Sequence, residues 1–205
     1  MLIFGPIALD SLPPIPWKNG GGITRTIAVE PPQAGMDDFL WRISMADIQS
    51  SGSFSTFPGI DRTILLWSGA GLTLRSPSWP DHTLTAAGEP FAFAGEADVS
   101  CELTEGPSQD LNLMVRRGAI AATMRLCREA VTINHACDDL VVLCAQGSLR
   151  IAFGDSHEYT DSQEYILNDG HFLRASQLRS EALLTPLNEK TRFVYASMHT
   201  NQSFF

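Results

Sequence analysis

Short apolar or alternating runs, each closed by Gly, Pro, Ser or Asn, recur along this 205-residue chain, and helical periodicity is scarce throughout. That punctuation disfavours a helical bundle and predicts many short strands joined by tight turns, the pattern of an all-β sandwich or barrel. Strands are expected over 2–9, 22–30, 39–46, 63–67, 71–76, 84–86, 91–93, 99–104 and 111–116. Met45-Ala46-Asp47-Ile48, just before Ser50-Ser51-Gly52-Ser53, is also compatible with a short helical turn.

After Gly118 the pattern starts again. Ala122, Met124 and Leu126 alternate with Thr123, Arg125 and Cys127, and further strands are expected over 140–145, 149–153, 164–167, 170–174, 182–185 and 191–198. The run Ile64-Leu65-Leu66-Trp67-Ser68-Gly69-Ala70-Gly71 has the layout of Leu140-Val141-Val142-Leu143-Cys144-Ala145-Gln146-Gly147. Gly88-Glu89-Pro90-Phe91-Ala92-Phe93 likewise matches Asp169-Gly170-His171-Phe172-Leu173. Two matches at similar separation suggest an internally duplicated β unit. The expected division is an N-terminal barrel over 1–118 and a C-terminal one over 119–205.

The tract Pro16-Trp17-Lys18-Asn19-Gly20-Gly21-Gly22-Ile23-Thr24-Arg25 interrupts this regularity. Three successive glycines suit neither a helix nor a strand interior, so they serve a local geometry. A tight turn beside a core tryptophan is one reading, and the rim of a small-molecule pocket is the other. A phosphate-binding P-loop is disfavoured, because no Gly-Lys-Ser/Thr follows and no long apolar strand precedes.

Composition narrows the partners. With 23 acidic residues against 14 basic ones the net charge is -9, and no basic block exists to track phosphates, so nucleic acid is not expected. No apolar run approaches membrane-spanning length, and the first basic residue is Lys18, so neither membrane insertion nor a secretory signal is expected. Cys101, Cys127, Cys137 and Cys144 are scattered without a Cys-x-x-Cys pair. They read as reduced thiols of a cytoplasmic protein, although spacing leaves disulfides open.

The segment Gly52 to Gly71 resembles the first motif of the cupin superfamily, in which two histidines and a glutamate bind metal. Arg62, separated from Gly69 by six residues, falls at the glutamate place, and Ser55 and Phe57 take the histidine places. Asp98 stands roughly where the last histidine would be. A hydroxyl, a phenyl ring, a permanent cation and a carboxylate do not make a first-row metal site, so no metal or cofactor is expected.

A more specific resemblance is to the HutD/Ves family. It rests on Trp17-Lys18-Asn19-Gly20-Gly21-Gly22-x-Thr24, Trp41-Arg42-Ile43-Ser44-x-Ala46-x-Ile48, Gly52-x-Phe54-Ser55-x-Phe57-x-Gly59-x-x-Arg62 and Asp110-Leu111-Asn112-Leu113-Met114. This resemblance implies a bicupin, two fused cupin-like barrels or jelly rolls of the RmlC-like superfamily, and for HutD members an accessory or regulatory link to histidine utilisation. The chain departs from the pattern at Thr26, where members often carry an acidic residue.

Arg62 is the foremost candidate. An inward-facing cation needs an anionic partner, either Asp61, Asp110 or a glutamate in a structural salt bridge, or the carboxylate of a ligand, whose two oxygens suit a guanidinium. Lys18, Asn19, Thr24 and Ser55 are expected to supply hydrogen bonds beside it, with Trp17, Trp41 and Phe57 as apolar walls. Of Trp41 and Arg42, extended backbone turns only one toward the pocket. The candidate ligand-binding residues are thus Trp17, Lys18, Asn19, Thr24, Arg42, Ser55, Phe57 and Arg62, with no catalytic residue assigned.

The histidines form no constellation: His82 follows Pro80-Asp81 in an expected loop, His157 and His171 read as surface and turn, His199 lies near the C-terminus, and His135 with Cys137 lacks further ligands. The expected function is binding of a small carboxylate metabolite, with urocanate and formiminoglutamate as candidates. The alternatives are a metal-independent cupin enzyme, an isomerase or hydrolase using Lys18, Asp110 or His82, and a protein-interaction module. Exposed barrel edges make a homodimer a further expectation.

Overall fold

The computed structural model describes residues 1–86, 88–154 and 163–201, and among them there is no α-helix. Strand β1 (Leu2–Ala8) ends in a 3-10 turn at Leu9–Ser11. There follow β2 (Ile15–Pro16), β3 (Gly22–Glu30), β4 (Trp41–Ile48), β5 (Gly52–Ser53), β6 (Ile60–Ser68), β7 (Leu72–Ser76), β8 (Trp79–Leu84), β9 (Phe91–Ala94), β10 (Ser100–Leu103) and β11 (Ser108–Arg116). The remaining strands are β12 (Ile120–Cys127), β13 (Val131–Ile133), β14 (Cys137–Gln146), β15 (Ser148–Gly154), β16 (Gln163–Asn168), β17 (His171–Leu178), β18 (Glu181–Pro186) and β19 (Arg192–Thr200).

Two compact units result, one of Leu12–Ala121 with Asn201, the other of Ala122–Thr200 with Met1–Ser11. The first unit has a six-stranded sheet, β2-β3-β4-β11-β6-β9, and a four-stranded one, β5-β10-β7-β8. The second has β1-β17-β14-β19-β12 and β13-β18-β15-β16. Adding eight to each strand number turns β4-β11-β6-β9 into β12-β19-β14-β17, and β5-β10-β7-β8 into β13-β18-β15-β16. The duplication suggested by the two sequence echoes is therefore a repeat of topology.

Met1–Ser11 depart from the division at residue 118. β1 lies antiparallel to β17, with Leu2 opposite Ser176 and Ile7 opposite Phe172, and Ile3 packs on the second unit's core. Met45–Ile48 is also not a turn of helix. It completes β4, where Met45 pairs Arg25 and Leu111 while Ala46 and Ile48 occupy the other face. His82 stands in β8 rather than a loop, its ring stacked 3.9 Å from that of Phe91.

In the first unit Ala46, Ile48, Ile64 and Leu66 of the large sheet share a core with Leu72, Leu74, Leu84 and Cys101 of the small one. The opposite face of the large sheet, with Ile43, Met45, Leu65, Leu111 and Leu113, is buried as well. This two-sided burial accounts for the unbroken apolar run Ile64–Trp67 of β6, whereas β4 and β11 keep Arg42, Ser44, Asp110 and Asn112 on one of their buried faces. Polar side chains on the inner face of such strands stand out against that background.

Candidate functional site

Strand register sets the inner face row by row. Arg42 of β4 lies opposite Met114 of β11, and Met114 opposite Arg62 of β6, which in turn pairs Phe93 of β9. The next row is Thr26, Ser44, Asn112, Ile64 and Phe91, and the one after it Thr24, Ala46, Asp110 and Leu66. Two guanidiniums, a carboxyl, an amide and three hydroxyls therefore share one inward surface with the apolar core.

Arg62 is 6% exposed and sits against three aromatic rings: its guanidinium carbon is 5.1 Å from the centroid of Phe54, 5.6 Å from Phe57 and 5.0 Å from Phe93. Its Nη1 donates a long hydrogen bond, 3.4 Å, to the Ser55 carbonyl oxygen, and its Nε has no partner. Among the described residues no carboxylate comes within ion-pair distance of it. Asp61 is engaged by Arg117, whose Nε lies 2.7 Å from Oδ1. Ring faces stabilise a desolvated cation by about 0.5–2 kcal/mol each, which offsets burial in part without neutralising the charge. Arg42, 9% exposed, donates to Ser44 Oγ at 3.0 Å and Thr26 Oγ1 at 2.8 Å, and it too has no carboxylate partner among the described residues.

Burial lowers the Arg62 guanidinium to about 10, with Asp110 opposing the shift and Arg42 adding to it. Arg42 is lowered by burial. Both stay cationic at neutral pH. Burial pushes the Asp110 carboxyl up to about 7 against the pull of Arg62, and Asp47 adds to the rise. Asp110 Oδ1 and Asn112 Oδ1 are buried without hydrogen-bond partners. The inner face thus carries two full positive charges against one carboxyl that is only partly ionised near neutrality.

The expected site residues divide into those on this surface and those at its margin. Trp17 packs on the core, and its Nε1 donates to Thr24 Oγ1 at 2.7 Å. Phe57 supplies a ring face to Arg62, and Ser55 offers its carbonyl while the residue itself is exposed. Lys18 and Asn19 stand on an exposed turn, where Asn19 Oδ1 accepts from the Gly21 amide at 3.0 Å. Gly22 follows because a Cβ there would collide with the Asp47 carbonyl and come within 3.2 Å of the Trp17 ring. Arg42, not Trp41, faces inward: Trp41 pairs Val115 on the opposite face. Phe54, Phe93, Ser44 and Asn112 join the surface without having been singled out as candidates. The alternation of polar 110 and 112 with apolar 111 and 113 was the signal that could have found Asn112.

The positions that hold metal in cupins do not fit a metal here. Arg62 places a cation at the centre, Phe57 offers only carbon, and Ser55 and Asp98 are exposed. Among the described residues no group of three His, Cys, Asp or Glu side chains could hold an ion. The histidines are less scattered than their sequence positions imply, since His135 and His199 stack at 5.4 Å, and His157 lies outside the described residues. The described residues contain no disulfide, and Cys101, Cys137 and Cys144 are buried. No helix among the described residues is long and apolar enough to cross a membrane.

A pair of facing sheets that occurs twice, with two arginines on the inner face of the first, defines a bicupin. The fold resembles that of a cupin 2 conserved barrel domain protein from Leptotrichia buccalis, with a TM-score of 0.57 at 11% identity over 96% of this chain and 97% of that one. The chain belongs to the HutD family, whose profile matches residues 10–194. It is 35% identical to Protein Ves of Escherichia fergusonii over 84% of this chain and 87% of that protein. It is 45% identical to an uncharacterised 21.2 kDa protein in the hutC 3' region of Pseudomonas putida, over 50% of this chain and about half, 53%, of that protein. The structure of HutD from Pseudomonas fluorescens SBW25, in a formate condition, matches with a TM-score of 0.80 at 25% identity, covering 98% of both chains.

Proposed function

We propose that the first unit binds a small carboxylate anion between Arg62 and Arg42, and that the protein is a cytoplasmic accessory or regulatory factor rather than a metalloenzyme. The observation that carries this is the pair of buried guanidiniums on one inner face with no carboxylate in ion-pair contact among the described residues. A buried cation without a counter-ion costs several kcal/mol, and a planar carboxylate accepts two parallel N–H donors from a guanidinium. The hutC-region relative and the HutD neighbour support a link to histidine utilisation, which makes urocanate and formiminoglutamate the candidate metabolites.

Thermal shift and calorimetry with formate, urocanate and formiminoglutamate test the reading. A ligand at a hundredfold excess over its dissociation constant stabilises the folded state by about 2.7 kcal/mol. Arg62→Met keeps the packing and removes the charge, so it retains or raises the melting temperature while losing the ligand-induced shift. No shift with any of the three at millimolar concentration, in protein shown to be folded, overturns the reading.

Asp110 gives a second reading some support, since a buried carboxyl near neutrality is the base a metal-independent isomerase or hydrolase would need. Lys18 is exposed and His82 is stacked on Phe91, so neither shares that position. Following urocanate by its absorbance during prolonged incubation separates turnover from binding.

A further inference from the structure

We infer that the anion site takes up one proton with its ligand and that Asp110 is the residue that holds it. The inference rests on the anion-binding reading and adds to it a group that recognises the protonation state of the whole site.

Asp110 lies on β11 between β4 and β6, is 2% exposed, and its Oδ1 has no hydrogen-bond partner. The charged and titratable groups around it can be named element by element. β6 contributes Arg62, which attracts its negative form, and β4 contributes Arg42, two rows from the facing residue Ala46. Asp47 of β4 repels that form, although Arg25 Nη1 of β3 lies 2.6 Å from Asp47 Oδ2 and screens it. β10 contributes the Cys101 thiol, raised by burial and therefore neutral. Arg62 is thus the group that favours an ionised Asp110, and Arg62 is also the group an incoming carboxylate engages.

The consequence is competition. A ligand carboxylate placed on Arg62 brings a second negative charge into a desolvated region that Asp110 already occupies, and their repulsion, with Arg62 now engaged by the ligand, favours the neutral form of Asp110. The ligand has no means of escaping its charge well above its own pKa, whereas Asp110 already titrates near neutrality. Binding therefore drives Asp110 to its neutral acid, whose O–H supplies a donor at a carboxyl whose Oδ1 has no hydrogen-bond partner. Asn112, in the adjacent row, contributes a second unpartnered oxygen and no charge.

Formate is the probe, because it stays ionised from weakly acidic to alkaline pH and any dependence on pH belongs to the protein. Calorimetry of the full chain at about pH 8, in buffers of different ionisation enthalpy, is expected to show uptake approaching one proton per formate. The affinity is expected to weaken roughly tenfold between about pH 6 and about pH 8. Asp110→Asn, which keeps the shape but cannot titrate, is expected to bind formate with no proton uptake and little pH dependence. Formate binding without proton uptake, or uptake unchanged in Asp110→Asn, overturns this inference and leaves anion binding standing. Absence of formate binding at every pH, in folded protein, overturns both. Should Asp110→Asn fail to fold, Asp110→Ser takes its place, and formate binding without uptake in the wild-type chain overturns the inference on its own.

Discussion

Replacing Asp110 by Asn should make the protein more stable, and increasingly so as pH rises. The carboxyl ordinarily titrates at 3.8 and is held at about 7 in the fold. Below the lower value the folded and unfolded chains are both protonated, and the group contributes no difference. As pH climbs past it the unfolded chain releases its proton while the fold keeps it, so folding stability declines through the window from 3.8 to about 7 and then levels off. At 1.36 kcal/mol per pKa unit this shift of about three units corresponds to about 4 kcal/mol lost across the window. In a chain of this size that is on the order of 10 °C in melting temperature. The assay is parallel thermal unfolding of wild type and Asp110→Asn, followed by circular dichroism from about pH 4 to about pH 8. The quantity to read is the change in their difference, because a fixed offset from replacing an oxygen with an amide next to Arg62 cancels. A gap that stays constant with pH, or narrows as pH rises, refutes the argument that burial holds this carboxyl neutral.

Thr26→Asp would place a carboxylate against Arg42, whose Nη2 now donates to the Thr26 hydroxyl at 2.8 Å, and should lower formate affinity roughly tenfold while leaving the melting temperature unchanged or higher, both readable in one thermal-shift titration. Gly22→Ala sets a methyl group against the Asp47 carbonyl and the Trp17 ring, and should destabilise the fold by about 1–3 kcal/mol in denaturant titration. Lys18→Ala alters only an exposed turn and is expected to leave formate affinity within twofold of wild type, which calorimetry would check.

The β class and the repeat were legible because turns punctuate the chain so regularly. β3 was expected over the same residues it occupies, 22–30, and the hairpin echo at Gly71 and Gly147 falls on corresponding turns between β6 and β7 and between β14 and β15. What escaped were the short pairings that depend on partners distant in sequence. Gly52–Ser53 and Val131–Ile133 are strands only because β10 and β18 lie beside them. β1 crosses to the second unit for the same kind of reason, since nothing within Leu2–Ala8 specifies β17. At the site, the Arg62 position could be read from its spacing to Gly69. Its surroundings could not, because Phe93 and Phe54 reach it through register and loop packing rather than through any motif. Lys18 and Asn19 attracted notice through chemistry that the turn spends on solvent and on the Gly21 amide.

The repeat also bears on why the anion site is expected in one half only. Aligning Ile64 with Leu140 and Leu66 with Val142, both pairs of which face their own cores, fixes the comparison. Leu66 pairs Asp110, whereas Val142 pairs Tyr195; Ile64 pairs Asn112, whereas Leu140 pairs Ser197. Two residues before the first pair stand Arg62 in one unit and Asp138 in the other. The second core is otherwise filled by apolar side chains such as Phe153, Phe193, Leu173 and Leu149, and among the described residues no lysine or arginine belongs to that cluster. Asp138 instead accepts from the Thr200 amide at 2.6 Å and lies 3.8 Å from the exposed Arg179. Duplication supplied two equivalent interiors, and the second, filled with hydrocarbon, has the lower cost of desolvation. The first retains two buried guanidiniums and a carboxyl held against its charged state, which is unfavourable for folding alone and is best accounted for by what it can bind.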